Sequence, residues 1–174
     1  MKRKKKDVTE YGGIGGIYLR KLLSTIISIG GLKYRNLQIL DFGSGYGMLK
    51  KMLPGIEVTN FDIVKKLSDV DDWKTVVFDI VVVNEVFCLF EESEIFQFLN
   101  DLYTINSNTE LIVGISRQAW LNNFGKIILG QNDAHKGTKT PPEKEIQILK
   151  SRMDIISHKS VYMLADIYHF RFRK

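Results

Sequence analysis

The chain has 174 residues, which suits one domain large enough to bury a substantial core. Its contents of 44% apolar and 26% charged residues are ordinary for a globular protein, and no run approaches the ~18 consecutive apolar residues of a membrane span. The net charge of +5 comes entirely from residues 2–6, which carry five positive charges, because 5 − 5 leaves the remainder formally neutral.

The basic run lies in a tail, residues 1–10, which we expect to be disordered and solvated, as chain ends often are. Nucleic-acid binding by this tail is the alternative. Polar residues and glycines follow it, not an apolar segment with a cleavage pattern, so it is not typical of a signal peptide. Cys88 is the only cysteine, which excludes an internal disulfide and favours a cytoplasmic protein.

The first predicted helix follows a glycine-rich segment. Residues 7–16 contain four glycines, too many for a stable element, so we expect a loop there. Residues 17–29 carry apolar residues at helical spacing and predict a helix, which Gly30 and Gly31 would end. The apolar positions are Leu19, Leu22, Leu23, Ile26 and Ile27.

Residues 38–49 (QILDFGSGYGML) predict a short buried strand, a glycine-rich turn and the start of a helix. Gly43, Gly45 and Gly47 leave three positions without side chains, so a ligand could lie against bare backbone. The helix N-terminus would suit an anionic group. A dinucleotide fingerprint requires the spacing G-x-G-x-x-G, and position 48 is Met, so an NAD site is disfavoured.

The motif Asp41-x-Gly43-x-Gly45-x-Gly47, with Ser44 and Tyr46 between the glycines, resembles motif I of the class I S-adenosylmethionine (SAM)-dependent methyltransferases. Two later segments strengthen the resemblance, because they follow in the family's order. Residues 58–63 are similar to the family's second strand, which ends in an acidic residue. Residues 78–87 are similar to its fourth strand and the loop beyond it.

This resemblance implies the fold and the cofactor. The fold would be a Rossmann-like α/β domain over residues 11–174, with helices on both faces of a mostly parallel seven-stranded sheet and an antiparallel last strand. The cofactor would be SAM, and the protein would be an enzyme that transfers its methyl group. In the family an N-terminal segment often closes over the cofactor, so residues 7–16 could form a lid instead of a simple loop.

The resemblance also assigns residues to the cofactor. Asp62 would accept hydrogen bonds from both ribose hydroxyls, as a carboxylate can, and Ile63 would pack on the adenine. An ordinary turn aspartate is the alternative for Asp62. Asp69 would bind the adenine amino group, and Val70 would cover the ring. The second choice for this acid is Asp71 or Asp72.

The region after Asp62 is unusually short. Between Asp62 and Asp79 there are 79 − 62 − 1 = 16 residues, hardly enough for the family's helix and third strand. We expect residues 65–70 to form a very short third strand. The following strand, Ile80 to Val83, is an uninterrupted β-branched run and should be buried on both faces.

The loop after this strand would flank the methionyl end and the sulfonium, through Asn84, Glu85 and Val86. It lacks the Asn-Pro-Pro-Tyr motif of methyltransferases that act on nucleobase amino groups. It also lacks the Pro-Cys nucleophile of the cytosine C5 enzymes, so we expect Cys88 to be a small buried hydrophobe.

The remaining elements follow from capping and periodicity. Ser93 is the predicted cap of a helix that ends near residue 105, and residues 111–115 predict a strand. Thr140 with two prolines and Glu143 predicts the start of a helix that runs to Ser151. Two strands, residues 155–164 and 167–173, should then pair across a tight turn at Ala165-Asp166.

Residues 117–140 are predicted to be an insertion with one apolar helical face and a polar loop. In the family such insertions often roof the acceptor pocket; a packed surface helix is the alternative. His135 in its polar loop is the candidate proton acceptor, or else an exposed loop histidine. Three scattered histidines and one cysteine give no metal site.

The acceptor is predicted only by class. The neutral body and the apolar insertion favour a small-molecule or lipid-like acceptor. Two alternatives remain: an RNA methyltransferase that uses the basic tail, and a catalytically silent SAM-binding subunit that serves a partner chain.

Overall fold

The computed structural model describes residues 13–117 and 138–174, which form one mixed sheet flanked by helices. The strands are β1 Ile39–Phe42, β2 Val58–Phe61, β3 Ile80–Asn84, β4 Glu110–Ser116, β5 Met153–Val161 and β6 Ala165–Phe172. The helices of at least one full turn are α1 Gly13–Gly30, α2 Met48–Met52, α3 Glu92–Ile105 and α4 Pro142–Arg152.

The strand order is β2-β1-β3-β4-β6-β5, and the first four strands run parallel. The last strand, β6, lies antiparallel to both of its neighbours, β4 and β5. This confirms the predicted Rossmann-like α/β fold with an antiparallel last strand. The predicted count of seven strands is wrong, because the sheet of the described residues has six.

The missing strand is the predicted third one. Residues 65–70 form no strand; only two single-turn 3-10 helices, Lys65–Leu67 and Trp73–Thr75, lie between β2 and β3. Asp69 alone pairs with the outer edge of β2: its N–H donates to the Asn60 carbonyl at 2.8 Å, and its Oδ2 accepts the Asn60 N–H at 2.8 Å. Sixteen residues are too few for a helix and a strand, so two hydrogen bonds of one residue, Asp69, replace strand pairing at this edge.

Two apolar layers enclose the sheet. Side chains of α1 and α2 pack on one face, and those of α3 and α4 pack on the other. The second layer is largely aromatic: Phe42, Trp73, Phe87 and Phe98 meet at centroid distances of 4.8–5.8 Å. Trp73 thereby anchors the short β2–β3 connection to the core. No helix within the described residues is long and apolar enough to cross a bilayer.

Helix α1 begins at Gly13, four residues earlier than predicted, and so includes part of the segment predicted to be a loop. Glycine costs about 1 kcal/mol in a helix relative to alanine. Burial of Leu22, Leu23, Ile26 and Ile27 against the sheet outweighs this cost. Residues 1–12 lie outside the described residues, so the disordered tail and the lid remain predictions.

Three predicted boundaries are wrong by a few residues. The cap of α3 is Glu91, not Ser93. Helix α4 starts at Pro142 after Pro141, without a side-chain cap, because the Thr140 hydroxyl donates to the Phe90 carbonyl at 2.6 Å instead. The turn between β5 and β6 lies at residues 162–164, where Tyr162 and Met163 adopt φ of 50° and 56°.

The cap of α3 gives a direct test. Glu91 and Glu94 form a capping box, in which the Glu91 N–H donates to Glu94 Oε2 at 2.7 Å. We expect Glu94→Ala to lower the free energy of unfolding by about 1 kcal/mol, which is about 2–4 °C in Tm. Ser93→Ala, the control at the exposed neighbouring position, should change it by less than about 0.5 kcal/mol. If thermal melts showed a larger loss of stability for Ser93→Ala than for Glu94→Ala, Glu91 would not be the cap of α3.

Candidate cofactor and acceptor site

The glycine turn between β1 and α2 has a backbone that glycine can adopt without strain and that is held in place by hydrogen bonds. Gly43, Gly45 and Gly47 have φ of 77°, 50° and 67°, values that side-chain-bearing residues rarely adopt. The N–H groups of Gly43 and Ser44 donate to the Phe61 carbonyl at 2.8 and 3.1 Å and so attach the turn to β2. The predicted strand, turn and helix are thus confirmed as backbone features, although α2 has only five residues and its dipole is correspondingly small.

The three glycines differ in what surrounds them. A Cβ at Gly43 would collide with the side chain of Val86, and one at Gly47 would lie 2.7 Å from Asn60 Nδ2. At Gly45 a Cβ would meet no atom of the described residues within 4 Å, apart from its two chain neighbours. Gly43 and Gly47 are therefore needed for packing, whereas Gly45 faces open space that a ligand could fill.

Asp62 lies directly beside this open position. Its Oδ2 accepts the Gly45 N–H at 2.9 Å, and its Oδ1 accepts the Val64 N–H at 2.9 Å. The Asp62 backbone exchanges two hydrogen bonds with the Ser68 hydroxyl, at 2.6 and 2.9 Å. The carboxylate is therefore held in one orientation before any ligand arrives, with lone pairs left to accept further hydrogen bonds.

The next residue, Ile63, is 95% exposed. An apolar side chain with this exposure gains nothing in the folded chain, and a ligand with a flat apolar face would cover it at a gain of about 25 cal/mol per Å² buried.

A second carboxylate, Asp41, lies behind Asp62 at the end of β1. It is 6% exposed and has no hydrogen-bond partner within the described residues. Burial, with a further contribution from the charge of Asp62, raises the pKa of Asp41 to about 7. A buried carboxylate without a partner is costly, so this site is electrostatically prepared for a cation or a donor.

Three other buried oxygens around the same edge have no hydrogen-bond partner in the described structure: Ser44 Oγ, Asn60 Oδ1 and Asn84 Oδ1. They belong to the glycine turn and to the ends of β2 and β3. Buried polar atoms usually have partners, so this concentration indicates that a polar ligand completes the site.

The predicted adenine-binding acid lies farther out. Asp69 Oδ2 is bound to Lys50 Nζ at 2.8 Å as well as to the β2 backbone, and Val70 is half-buried. Asp72 caps a 3-10 turn through the Lys74 N–H, and Asp71 is exposed opposite Lys65 at 3.9 Å. The hydrogen bonds of Asp69 have a structural role, and its part in adenine binding remains a prediction.

Glu85 brings a second group of side chains to the end of β3. It has a left-handed φ of 57°, and its Oε1 accepts hydrogen bonds from the hydroxyls of Tyr18, at 3.1 Å, and Ser116. Burial, followed by the charge of Glu85, raises the pKa of the Tyr18 phenol, so it stays protonated as a donor. The sequence predicted Glu85 but neither of its two partners.

Glu145 on α4 lies close enough to Glu85 for their charges to interact, and the sequence analysis did not predict it. It is 3% exposed. Burial, followed by the charges of Glu85 and Glu143, raises the pKa of Glu145 to about 8. Burial, followed by the charges of Glu145 and Glu85, raises the pKa of Cys88 to about 12. The thiol therefore stays protonated. Cys88 was predicted to be buried, but it is only half-buried.

The candidate proton acceptor His135 and residues 118–137 of the predicted insertion lie outside the described residues. Only the flanking residues can be placed: the Arg117 N–H donates to the Leu164 carbonyl at 2.8 Å, and the Lys139 N–H donates to the Cys88 carbonyl at 2.7 Å. Residues 13–117 and 138–174 contain no cluster of potential metal ligands.

Comparisons with known proteins give structural neighbours only. No protein-family model matches the sequence, and no curated protein is significantly similar to it. Magnesium protoporphyrin IX methyltransferase from Synechocystis PCC 6803, solved with bound S-adenosylhomocysteine (SAH), has 18% identity and a TM-score of 0.59, over 91% of this chain and 87% of that one. The chain has the fold of the class I SAM-dependent methyltransferases.

Two further neighbours share this methyltransferase fold. A SAM-dependent methyltransferase from Methanosarcina mazei has 16% identity and a TM-score of 0.60, over 84% of this chain and 98% of that one. Human N-acetylserotonin methyltransferase, solved with SAM, has 16% identity and a TM-score of 0.60, over 89% of this chain and 51% of that one. In open α/β sheets, ligands bind beyond the carboxyl ends of the strands. The glycine turn, Asp62 and Glu85 all lie at that edge.

Proposed function

We propose that the protein is a methyltransferase that uses SAM and acts on a small-molecule acceptor. The observation that carries this proposal is the hydrogen bond from the Gly45 N–H to Asp62, next to the exposed Ile63. It brings a carboxylate and bare backbone together beside an exposed apolar side chain at one edge of the sheet, as a nucleoside with a charged tail requires.

The residues fit the cofactor in the following way. Asp62 would accept the ribose hydroxyls, and Ile63 would cover one face of the adenine. The open space at Gly45 would receive the methionyl end, with the unpartnered carboxylate of Asp41 as the counter-charge for its ammonium. The unpaired oxygens of Ser44 and Asn84 would accept its remaining donors.

Bound SAM supplies an activated methyl group on a sulfonium, so the chain's task is mainly to orient the acceptor and exclude water. Asn84 ends β3, Glu85 and Val86 follow it, and these three residues would flank the reacting end. A small-molecule acceptor is supported by the neighbours, two of which are named for small-molecule acceptors, magnesium protoporphyrin IX and N-acetylserotonin. No observation on the described residues favours RNA or a silent subunit.

Cofactor binding is tested by thermal melts and calorimetry with SAH. At a concentration of about 100 times the dissociation constant, SAH should stabilise the native protein by roughly 2.7 kcal/mol, a shift of several degrees in Tm. Asp62→Ala should lose most of this shift, because it removes the ribose acceptor. Asp154→Ala, at an exposed aspartate on the edge strand β5, is the matched control and should keep it. No shift in the native protein would refute the proposal.

A further inference from the structure

We propose that the acceptor is an amine, recognised as a cation by the carboxylates of Glu85 and Glu145 at the carboxyl end of β3. This inference rests on the proposed methyltransferase function and specifies the class of its acceptor.

Glu85 provides a fixed acceptor group. Its backbone N–H donates to the Gly114 carbonyl at 2.8 Å, which attaches the residue to the end of β4. The hydroxyls of Tyr18 and Ser116 both donate to the same oxygen, Oε1. No hydrogen bond reaches Oε2 from the described residues, so this oxygen is left to bind something else.

Glu145 is the independent observation that points to a ligand. It is 3% exposed, and its carboxyl group has no hydrogen-bond partner among the described residues, although its backbone N–H donates to the Pro141 carbonyl at 3.1 Å. Helix α4 carries it inward on the same face as Ile148 and Leu149, which belong to the core. A buried carboxyl group without a partner is destabilising, so its retention on an apolar helix face is explained by a ligand that pairs with it.

The charge of the missing partner follows from the surroundings. Within residues 13–117 and 138–174, neither Glu85 nor Glu145 lies within 4.0 Å of a lysine, arginine or histidine nitrogen. Burial and then the charge of Glu85 raise the pKa of Glu145, so the two side chains are close enough for their charges to interact. An ammonium group would relieve this repulsion and would supply the N–H donors that both carboxylates lack.

An amine also suits the chemistry. The ammonium form binds, and one of its protons passes to a glutamate carboxylate, which frees the nitrogen lone pair. The nitrogen then forms a bond to the methyl carbon as the carbon–sulfur bond breaks, and that electron pair returns to sulfur. The products are a methylated ammonium, SAH and the carboxyl proton, which is released to water. A carboxyl group with a raised pKa can both accept and release this proton near neutral pH.

The experiment compares amines with alcohols of the same shape. Benzylamine, 2-phenylethylamine and butylamine are titrated calorimetrically against benzyl alcohol, 2-phenylethanol and butanol, with and without saturating SAH. We expect at least one amine to bind tenfold or more tightly than its alcohol. Glu85→Gln and Glu145→Gln should each weaken amine binding at least tenfold and leave alcohol binding unchanged.

Glu143→Gln is the matched control, because Glu143 is exposed on the first turn of the same helix. It should keep the preference for amines. Equal binding of amine and alcohol in all three pairs would overturn the proposal, as would a preference that survives both glutamine variants. Failure of SAH to bind would instead refute the methyltransferase function, and the titrations without SAH still decide whether the amine site exists.

Discussion

Gly45→Ala is expected to lower the affinity for SAH by about a hundredfold, or about 2.7 kcal/mol, while the fold is retained. The φ of 50° at this position disfavours alanine by about 1 kcal/mol, which a domain of this size tolerates. Within residues 13–117 and 138–174, the new methyl group meets no atom within 4 Å other than those of its chain neighbours. It would instead occupy the space in which we propose that the ligand lies. Calorimetric titration with SAH measures the loss, and a thermal melt without ligand measures the fold.

Gly55→Ala separates backbone strain from ligand exclusion. Gly55 has a φ of 82°, and a Cβ there also meets no non-adjacent described residue within 4 Å, but Gly55 lies in the turn after α2 and outside the site. It should cost about the same stability as Gly45→Ala and leave SAH affinity unchanged. Gly43→Ala should be more destabilising than either, because its Cβ collides with Val86. Unchanged SAH affinity in Gly45→Ala would show that the open space is not the binding position.

The cofactor side of the site could be predicted from sequence because its signals are local. A strand, three glycines and an acidic residue at the end of the next strand are all read within about 25 residues, and parallel pairing of β1 with β2 brings them together. The structure places Asp62 against Gly45, as that reasoning requires. Ile63 also needed no distant information, because it follows Asp62 directly.

The acceptor side could not be predicted in this way, because its residues are far apart in the chain. Tyr18, Ser116 and Glu145 come from α1, β4 and α4, and only the assembled fold brings them to Glu85. One signal was present in the sequence. Glu145 precedes Ile148 and Leu149 by three and four residues, so it shares their helix face, and an acid on an apolar face is a candidate for function.

The errors in the predicted fold have a common cause: in each case a tertiary contact outweighed a local preference of the sequence. The glycines at positions 13, 15 and 16 disfavour a helix, yet α1 extends through them because its later turns are buried on the sheet. Thr140 is a good helix cap, but its hydroxyl binds the Phe90 carbonyl across the fold. Residues 65–70 carry no strand because Asp69 satisfies the edge of β2 through its own backbone and carboxylate.

Asp41→Asn should affect stability and cofactor binding in opposite directions. The pKa of Asp41 is raised from 3.8 to about 7 by burial and by the charge of Asp62, so the folded protein holds this proton more tightly than the unfolded chain does. The ionised carboxylate is therefore the form that the fold penalises. Asparagine has nearly the same shape and cannot ionise, so it avoids the penalty.

The sign of the pH dependence follows from this shift. Below about pH 4 the carboxyl group is protonated in both states, and the aspartate costs nothing. Between pH 4 and 7 the unfolded chain loses the proton first, so the stability of the native protein falls as pH rises. Above pH 7 the full penalty applies, at most about 4 kcal/mol from a shift of about three units. Ligand-free Asp41→Asn should thus be more stable than the native protein at pH 8, and the gain should vanish near pH 4.

Cofactor binding should change the other way. If the buried carboxylate is the counter-charge for the ligand's ammonium, Asp41→Asn removes that attraction, and SAH affinity at pH 8 should fall at least tenfold, about 1.4 kcal/mol. Denaturant unfolding at pH 4, 6 and 8, together with SAH titration at pH 8, measures both effects on one protein. A variant that is more stable and still binds SAH normally would show that Asp41 is not the counter-charge. A gain in stability with a loss of affinity would show that the buried Asp41 carboxylate destabilises the fold but is needed to bind the ligand.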